Sequence, residues 1–173
     1  MIEVHYASPF GPITLVGNGE RLCRVILGSE RQAEGWRAAV PGLAPYVNML
    51  ERYFAGEPIQ CESHLFLPED VGPFRRSVYE ALLRVPFGSA ITYGELARAC
   101  GRTGAARAVG CALGANPVPI FIPCHRVVRA DGSLGRFSAG IVWKERLLRH
   151  EGRPAGGRRA ARGTLSFRRL MPA

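Results

Sequence analysis

Three prolines, Pro117, Pro119 and Pro123, punctuate the stretch "NPVPIFIPCHRVV". Each fixes its own φ and removes a backbone donor, so no helix passes through this stretch. The run from Pro117 to Pro123 is otherwise apolar. It reads as a rigid, extended segment that follows a helix stopped by Gly114 and Asn116-Pro117. The segment delivers one cysteine, Cys124, with His125 and Arg126 directly behind it and a turn at Ala130-Asp131-Gly132-Ser133. A structural core cysteine needs no such neighbours, whereas a reactive one does.

The remaining chain sets bounds on that chemistry. Its 173 residues suffice for one domain or two small ones with a real core, without disulfide staples. The cysteines Cys23, Cys61, Cys100, Cys111 and Cys124 are odd in number, scattered and free of any CxxC pair. That pattern excludes a disulfide framework and a cysteine-rich zinc site, and fits a reducing, cytoplasmic setting. The start, MIEVHYASPF, has no signal-peptide pattern, and no apolar stretch is long enough to span a bilayer, so no membrane partner is expected. The formal charge of +9 favours an anionic partner. Six of those charges are arginines between Gly152 and Ala173. Such a tail is more often a solvated appendage than a binding element.

The periodicities predict an α/β unit over residues 1–70. IEVHYA, ITLVG and RLCRVIL read as strands separated by turns at SPFGP and NGE. Leu43, Val47, Leu50 and Phe54 share a helical face within Gly42 to Ala55, and Gly56 to Glu69 reads as a crossover. A mainly α unit follows over 71–152, and a basic, flexible tail over 153–173. Its first helix spans Pro73 to Val85, with Phe74, Val78, Ala81, Leu82 and Val85 as the apolar stripe. VPFGSAITY reads as a loop, and Thr92 with Glu95 as a capping box opening a helix from Tyr93 to Cys100. After GRTG a second helix runs from Ala105 to Leu113. This outline fits a helix-turn-helix, although by spacing alone it is more often a plain helical hairpin. A last helix over Ala139 to His150 has Val142, Leu147 and Leu148 as core contacts.

Cys124 is the leading nucleophile. A free thiol is only slightly ionised at neutral pH, so a base or a positive field must act on it. In an extended segment Cys124 and His125 point to opposite faces, so a water is expected to link them. Triad logic then asks for an acid behind the histidine, and Glu151 is a candidate. Taken alone, an apolar cysteine is more often an inert core thiol.

The strings "IPCHRVV", "AARAVGCALGANPVP" and "VPFGSAITYGELA" resemble the O6-alkylguanine-DNA alkyltransferase family, continuously from Pro73 to Gly152. "SPFGPITLV" is similar to that family's N-terminal domain. The resemblance implies a ribonuclease H-like α/β domain followed by a C-terminal domain with a helix-turn-helix of the winged-helix type. It implies that Cys124 accepts the alkyl group, that His125 is the water-linked base, and that Glu151 orients it. Asn116 ties the helix-turn-helix to the cysteine loop. Tyr93 assists flipping and bonds the everted guanine. Val127 reads the exocyclic amine through its carbonyl, Ser138 approaches O6, and Lys144 matches a lysine of the last helix. Arg107 fills the gap in the base stack. The small residues Ala105, Ala106 and Gly110 bring their helix close to the minor groove of double-stranded DNA.

The implied function is direct repair of O6-alkylguanine, methyl adducts best, by a monomer acting once per molecule. A thioether on Cys124 lacks the activated carbonyl that would let water release it. Neither metal nor organic cofactor is implied. Some relatives carry a structural zinc, but His5, Cys23, Cys61 and His64 lack its spacing. Two departures stand out. Phe137 lies where many members have tyrosine. Ala139 replaces a glycine, and its methyl is expected to narrow the alkyl pocket. A lesion sensor without transfer activity and a cysteine hydrolase using Cys124, His125 and Glu151 are the competing readings.

Overall fold

The computed structural model describes residues 1–19, 21–28, 41–62 and 71–152. The tail over 153–173 and the later part of the expected crossover, from residue 63, lie outside the described residues.

Alternation at the N-terminus produces an antiparallel sheet in the order β1 (Ile2–Ser8), β2 (Gly11–Gly17), β3 (Leu22–Leu27). β1 buries Val4 and Tyr6 and turns Glu3 outward, the pattern of a strand with one wet face. The central strand β2 is buried continuously from Ile13 to Gly17. Its register pairs Val4 with Leu15 on one side and Leu15 with Val25 on the other.

Helix α1 (Ala44–Phe54) buries Tyr46, Val47, Leu50 and Tyr53. The expected stripe is therefore wider than Leu43, Val47, Leu50 and Phe54, because two tyrosines join it. Phe54 sits at its edge, stacked on Tyr6 at 5.9 Å between ring centroids.

The helical unit begins with α2 (Pro73–Leu83), where Pro73 occupies the first turn and costs no backbone bond. Val78, Ala81 and Leu82 are buried as the periodicity predicts, together with Tyr79. α3 (Tyr93–Ala99) opens with the expected capping box: the Glu95 amide donates to Thr92 Oγ1 at 3.2 Å, and the Thr92 amide donates to Glu95 Oε2 at 2.8 Å. α4 (Ala106–Gly114) packs on both α2 and α3. Ala105 is its cap residue rather than its first helical one. The Tyr79 hydroxyl donates to the Ala112 carbonyl at 2.8 Å, which pins α4 to α2.

Three expectations need correction. VPFGSAITY is not wholly a loop: Ile91–Thr92 forms a two-residue strand, β4, paired in parallel with β5 (Val127–Val128). The segment before Cys124 is not extended. Its prolines leave few donors, and those close locally: the Val118 amide to Asn116 Oδ1, the Ile122 amide to the Val118 carbonyl, and the Cys124 amide to the Ile122 carbonyl. The last helix, α5, spans Ile141–His150, and Val142 is 54 % exposed. Its buried face instead carries Trp143, Lys144, Leu147 and Leu148.

The sheet and the helical unit meet around the cysteine loop. The Val25 amide donates to the Pro117 carbonyl at 2.8 Å, extending the β3 edge onto that loop. Phe10 packs edge-on against Trp143 at 6.4 Å, and Tyr46 edge-on against Phe121 at 5.9 Å. No helix among the described residues is long and apolar enough to cross a membrane. Tyr79→Phe removes one buried hydrogen bond without opening a large cavity. It should lower the unfolding free energy by about 1 kcal/mol, read as a lower urea midpoint with an unchanged slope.

Candidate active site

Cys124, His125 and Arg126 form a single 3-10 turn. The turn, rather than an extended strand, separates the thiol from the imidazole: no side-chain hydrogen bond joins them, and His125 Nε2 lies against Glu151 instead. All three side chains are buried.

Glu151 caps α5 and is the hub of this centre. Its Oε1 accepts from the Tyr53 hydroxyl at 2.9 Å, lies 2.7 Å from His125 Nε2, and accepts from an Arg126 terminal nitrogen at 3.0 Å. Its Oε2 accepts from Arg126 Nε at 2.9 Å and from the Gly88 amide at 3.0 Å. Gly88 has φ +74°, and a Cβ there would sit 2.9 Å from the Glu151 carbonyl oxygen, so this approach requires glycine. Arg126 also donates to the Val85 carbonyl at 2.6 Å, which leaves it held on both sides.

The electrostatics follow from that geometry. Burial alone would push the Glu151 carboxyl up, but His125 and Arg126 override it and hold the group well below the usual carboxylate range. Burial lowers the His125 pKa against the pull of Glu151, so the imidazole is neutral at pH 7 and Arg126 is the permanent cation. An ionised carboxylate only accepts hydrogen bonds, so His125 Nε2 carries the proton. Nδ1 is then a bare lone pair, buried and without a protein partner.

Asn116 spans the cysteine loop. Its amide nitrogen donates to the Ile122 carbonyl at 2.9 Å and to Cys124 Sγ at 3.0 Å, while Oδ1 accepts from the Val118 amide. Burial pushes the Cys124 thiol up to about 11, against the Asn116 hydrogen bond and the Lys144 charge. The resting sulfur is therefore a protonated thiol. Lys144 is fully buried and donates to the Val127 carbonyl. Burial lowers its ammonium to about 8.

Cys124 lies on the wall of a cleft of about 550 Å³. Tyr93, Arg107, Gly110 and Ser138 line the same cleft, so the fold brings these expected residues together with the thiol. Phe137 lines it too, a ring with no hydroxyl. His125, Glu151, Asn116, Val127 and Lys144 form the layer beneath. Ala105 caps α4 and Ala106 opens it; both are half-buried and neither is among the residues lining the cleft. Ala139 packs against the core and is not among the residues lining the cleft. Sequence reasoning missed Tyr53, Gly88 and Arg126 around Glu151, and Cys111, Arg129 and Arg136 around the cleft. Only Arg126 carried a local signal, its place beside His125.

This constellation sits within two matched families. Residues 73–153 match the family described as "6-O-methylguanine DNA methyltransferase, DNA binding domain". Residues 1–65 match "6-O-methylguanine DNA methyltransferase, ribonuclease-like domain". The chain belongs to the 6-O-methylguanine DNA methyltransferase family. A methylated-DNA--protein-cysteine methyltransferase of Mycobacterium tuberculosis is 39 % identical over 154 residues, covering 86 % of this chain and 92 % of the relative. One of Salmonella typhimurium is 37 % identical over 165 residues, covering 88 % and 96 %. Among solved structures of the family, Mycobacterium tuberculosis OGT in complex with DNA superposes with a TM-score of 0.72 at 39 % identity, over 87 % of this chain and 92 % of that one.

Glu151→Gln tests the hub. Removing the anion strands Arg126 as a buried cation, a loss of about 3–5 kcal/mol of stability. The folded pKa of Glu151 is depressed, so its contribution is present above the unfolded carboxylate pKa of about 4.3 and is lost as pH falls below it. Urea titrations at pH 7 and at acid pH should show a gap between parent and variant that closes on acidification.

Proposed function

We propose that this chain repairs O6-alkylguanine in DNA, chiefly O6-methylguanine, by moving the alkyl group onto Cys124 in a single turnover. The activity is that of a methylated-DNA--protein-cysteine S-methyltransferase. The observation that carries this reading is the cysteine on the wall of a cleft roomy enough for a base, backed by a neutral histidine whose tautomer a buried carboxylate fixes.

Base eversion places guanine in the cleft, with Tyr93 on its wall. The Cys124 proton leaves through a water to His125 Nδ1, and Glu151 stabilises the imidazolium that forms. The thiolate attacks the alkyl carbon. The C–O bond breaks, its electron pair stays on guanine, and a C–S bond forms. The Lys144 charge and the Asn116 amide favour the thiolate. A thiol that is neutral at rest stays inert until its proton passes along this relay.

Residues 1–70 form the ribonuclease H-like unit in this reading, and 71–152 the alkyl-transfer unit, with α3 and α4 as a helix-turn-helix of the winged-helix type. The exposed face of α4 supports minor-groove docking: Arg107, Ala108, Cys111, Gly114 and Ala115 are exposed, and apart from Arg107 they are small. Arg107 fills the vacated stack, while Ala105, Ala106 and Gly110 let the backbone approach. Val127 and Ser138 read guanine's edge, with Lys144 holding the Val127 carbonyl in place. The protein acts as a monomer in the cytoplasm, and residues 153–173 form a basic tail.

Incubation with duplex carrying radiolabelled O6-methylguanine should place no more than one methyl group on each protein, all of it at Cys124, and Cys124→Ser should capture none. Multiple turnovers, or transfer by the serine variant, would overturn the assignment. Asn116→Ala removes a hydrogen bond to the developing thiolate and should slow transfer about 10- to 100-fold in single-turnover assays.

A further inference from the structure

Two arginines at the cleft play no part in the chemistry above. Arg129 and Arg136 line it alongside Arg107, and all three are exposed. None makes a side-chain hydrogen bond or an ion pair with another described residue. The nearest acid in sequence, Asp131, accepts from the Ser133 amide at 2.9 Å within its own turn; the Arg129 charge acts on it, but the two form no ion pair.

The three arginines stand on two banks. Tyr93 separates them. A Cβ at Gly110 of α4 would lie 3.9 Å from Tyr93 Cε1, whereas one at Gly135 would lie 3.2 Å from Cε2 and 2.9 Å from the hydroxyl. α4 with Arg107 therefore borders one edge of the ring, and the loop with Arg136 borders the other. Arg129 belongs to the same loop as the second bank, because its backbone is hydrogen-bonded to Gly132 and Ser133, which lead directly into Gly135.

That second bank is built firmly. The Arg129 amide donates to the Ser133 carbonyl at 2.9 Å, and the Gly132 amide to the Arg129 carbonyl at 3.0 Å. Gly135 has φ +69° and is wedged against Tyr93, which fixes the backbone next to Arg136. Two unpaired guanidinium groups on a fixed backbone, beside a cleft, suit a bidentate anion.

We infer that Arg129 and Arg136 grip the phosphodiester of the everted nucleotide itself, across the cleft from Arg107. This deepens the proposed function and rests on it. Base eversion swings that phosphate out of the helical line, so a cationic bank opposite α4 holds the strand open while Arg107 occupies the stack. The two arginines are positioning residues; neither touches the reacting atoms.

The test compares second-order rates of methyl transfer for the parent and the R129A/R136A double variant. Two O6-methylguanine duplexes serve as substrates, one with native phosphates and one with neutral methylphosphonates flanking the lesion. On native duplex the variant should be slower, and its salt dependence shallower by about one unit of log–log slope in all, because the two arginines neutralise one phosphate. On the neutral duplex parent and variant should react at the same rate, and on native duplex R129K/R136K, which keeps the charge but loses the guanidinium fork, should recover only part of the loss. An equal loss on both duplexes, or no loss on native duplex, overturns the inference. Failure of the parent to transfer methyl from native duplex instead overturns the proposed function, so the two failures are distinguishable. Unchanged thermal unfolding of the variant excludes misfolding as the cause of a loss.

Discussion

One buried carboxylate holds this molecule together where its chemistry occurs. Glu151 accepts from α1 through Tyr53, from the loop before α3 through Gly88, and from the cysteine turn through His125 and Arg126. These are distant parts of the chain, so the sheet unit, the helical unit and the catalytic turn share a single anion. Its desolvation is offset only because every approach is a donor and one donor is a permanent cation. The histidine tautomer is a by-product of the same arrangement, since an ionised Glu151 leaves Nδ1 as the only base.

The cysteine loop shows how the sequence forces a fold that no regular element would give. Prolines remove its ladder donors, and Asn116 replaces them with side-chain bonds. Ile120 takes φ +77°, the one non-glycine residue at positive φ among the described residues. That conformation costs a β-branched residue on the order of 1–3 kcal/mol and persists only where surroundings dictate it. Here the flanking prolines, the burial of Ile120 and the Val25–Pro117 bond dictate it. The outcome is a sulfur fixed against an amide donor, in a place where burial keeps it protonated until it is needed.

Local rules made much of this legible. Alternation located the strands, the Thr92–Glu95 spacing located the start of α3, and the proline run located Cys124. Triad logic made Glu151 a candidate, and the resemblance singled it out. What stayed hidden was long-range or counter-intuitive. Tyr53 is an ordinary core aromatic until Glu151 is brought to it. The β4–β5 pair is two residues long, too short for any periodicity. In α5 the buried positions are Trp143 with Leu147 and Lys144 with Leu148, each four apart. A stripe drawn through Val142 rotates the face, because Lys144 is buried, with its ammonium bonded to the Val127 carbonyl. Arg129 and Arg136 were illegible for a different reason: an exposed arginine carries no periodic signal, and only the cleft gives it a setting.

The most direct test of this account is the protonation state of one imidazole. Side-chain nitrogen NMR of the intact protein at pH 7 should find His125 neutral, with its proton on Nε2 and a bare Nδ1. An imidazolium at that pH, or a proton on Nδ1, would contradict it, because Glu151 would then not be presenting a base toward the cysteine.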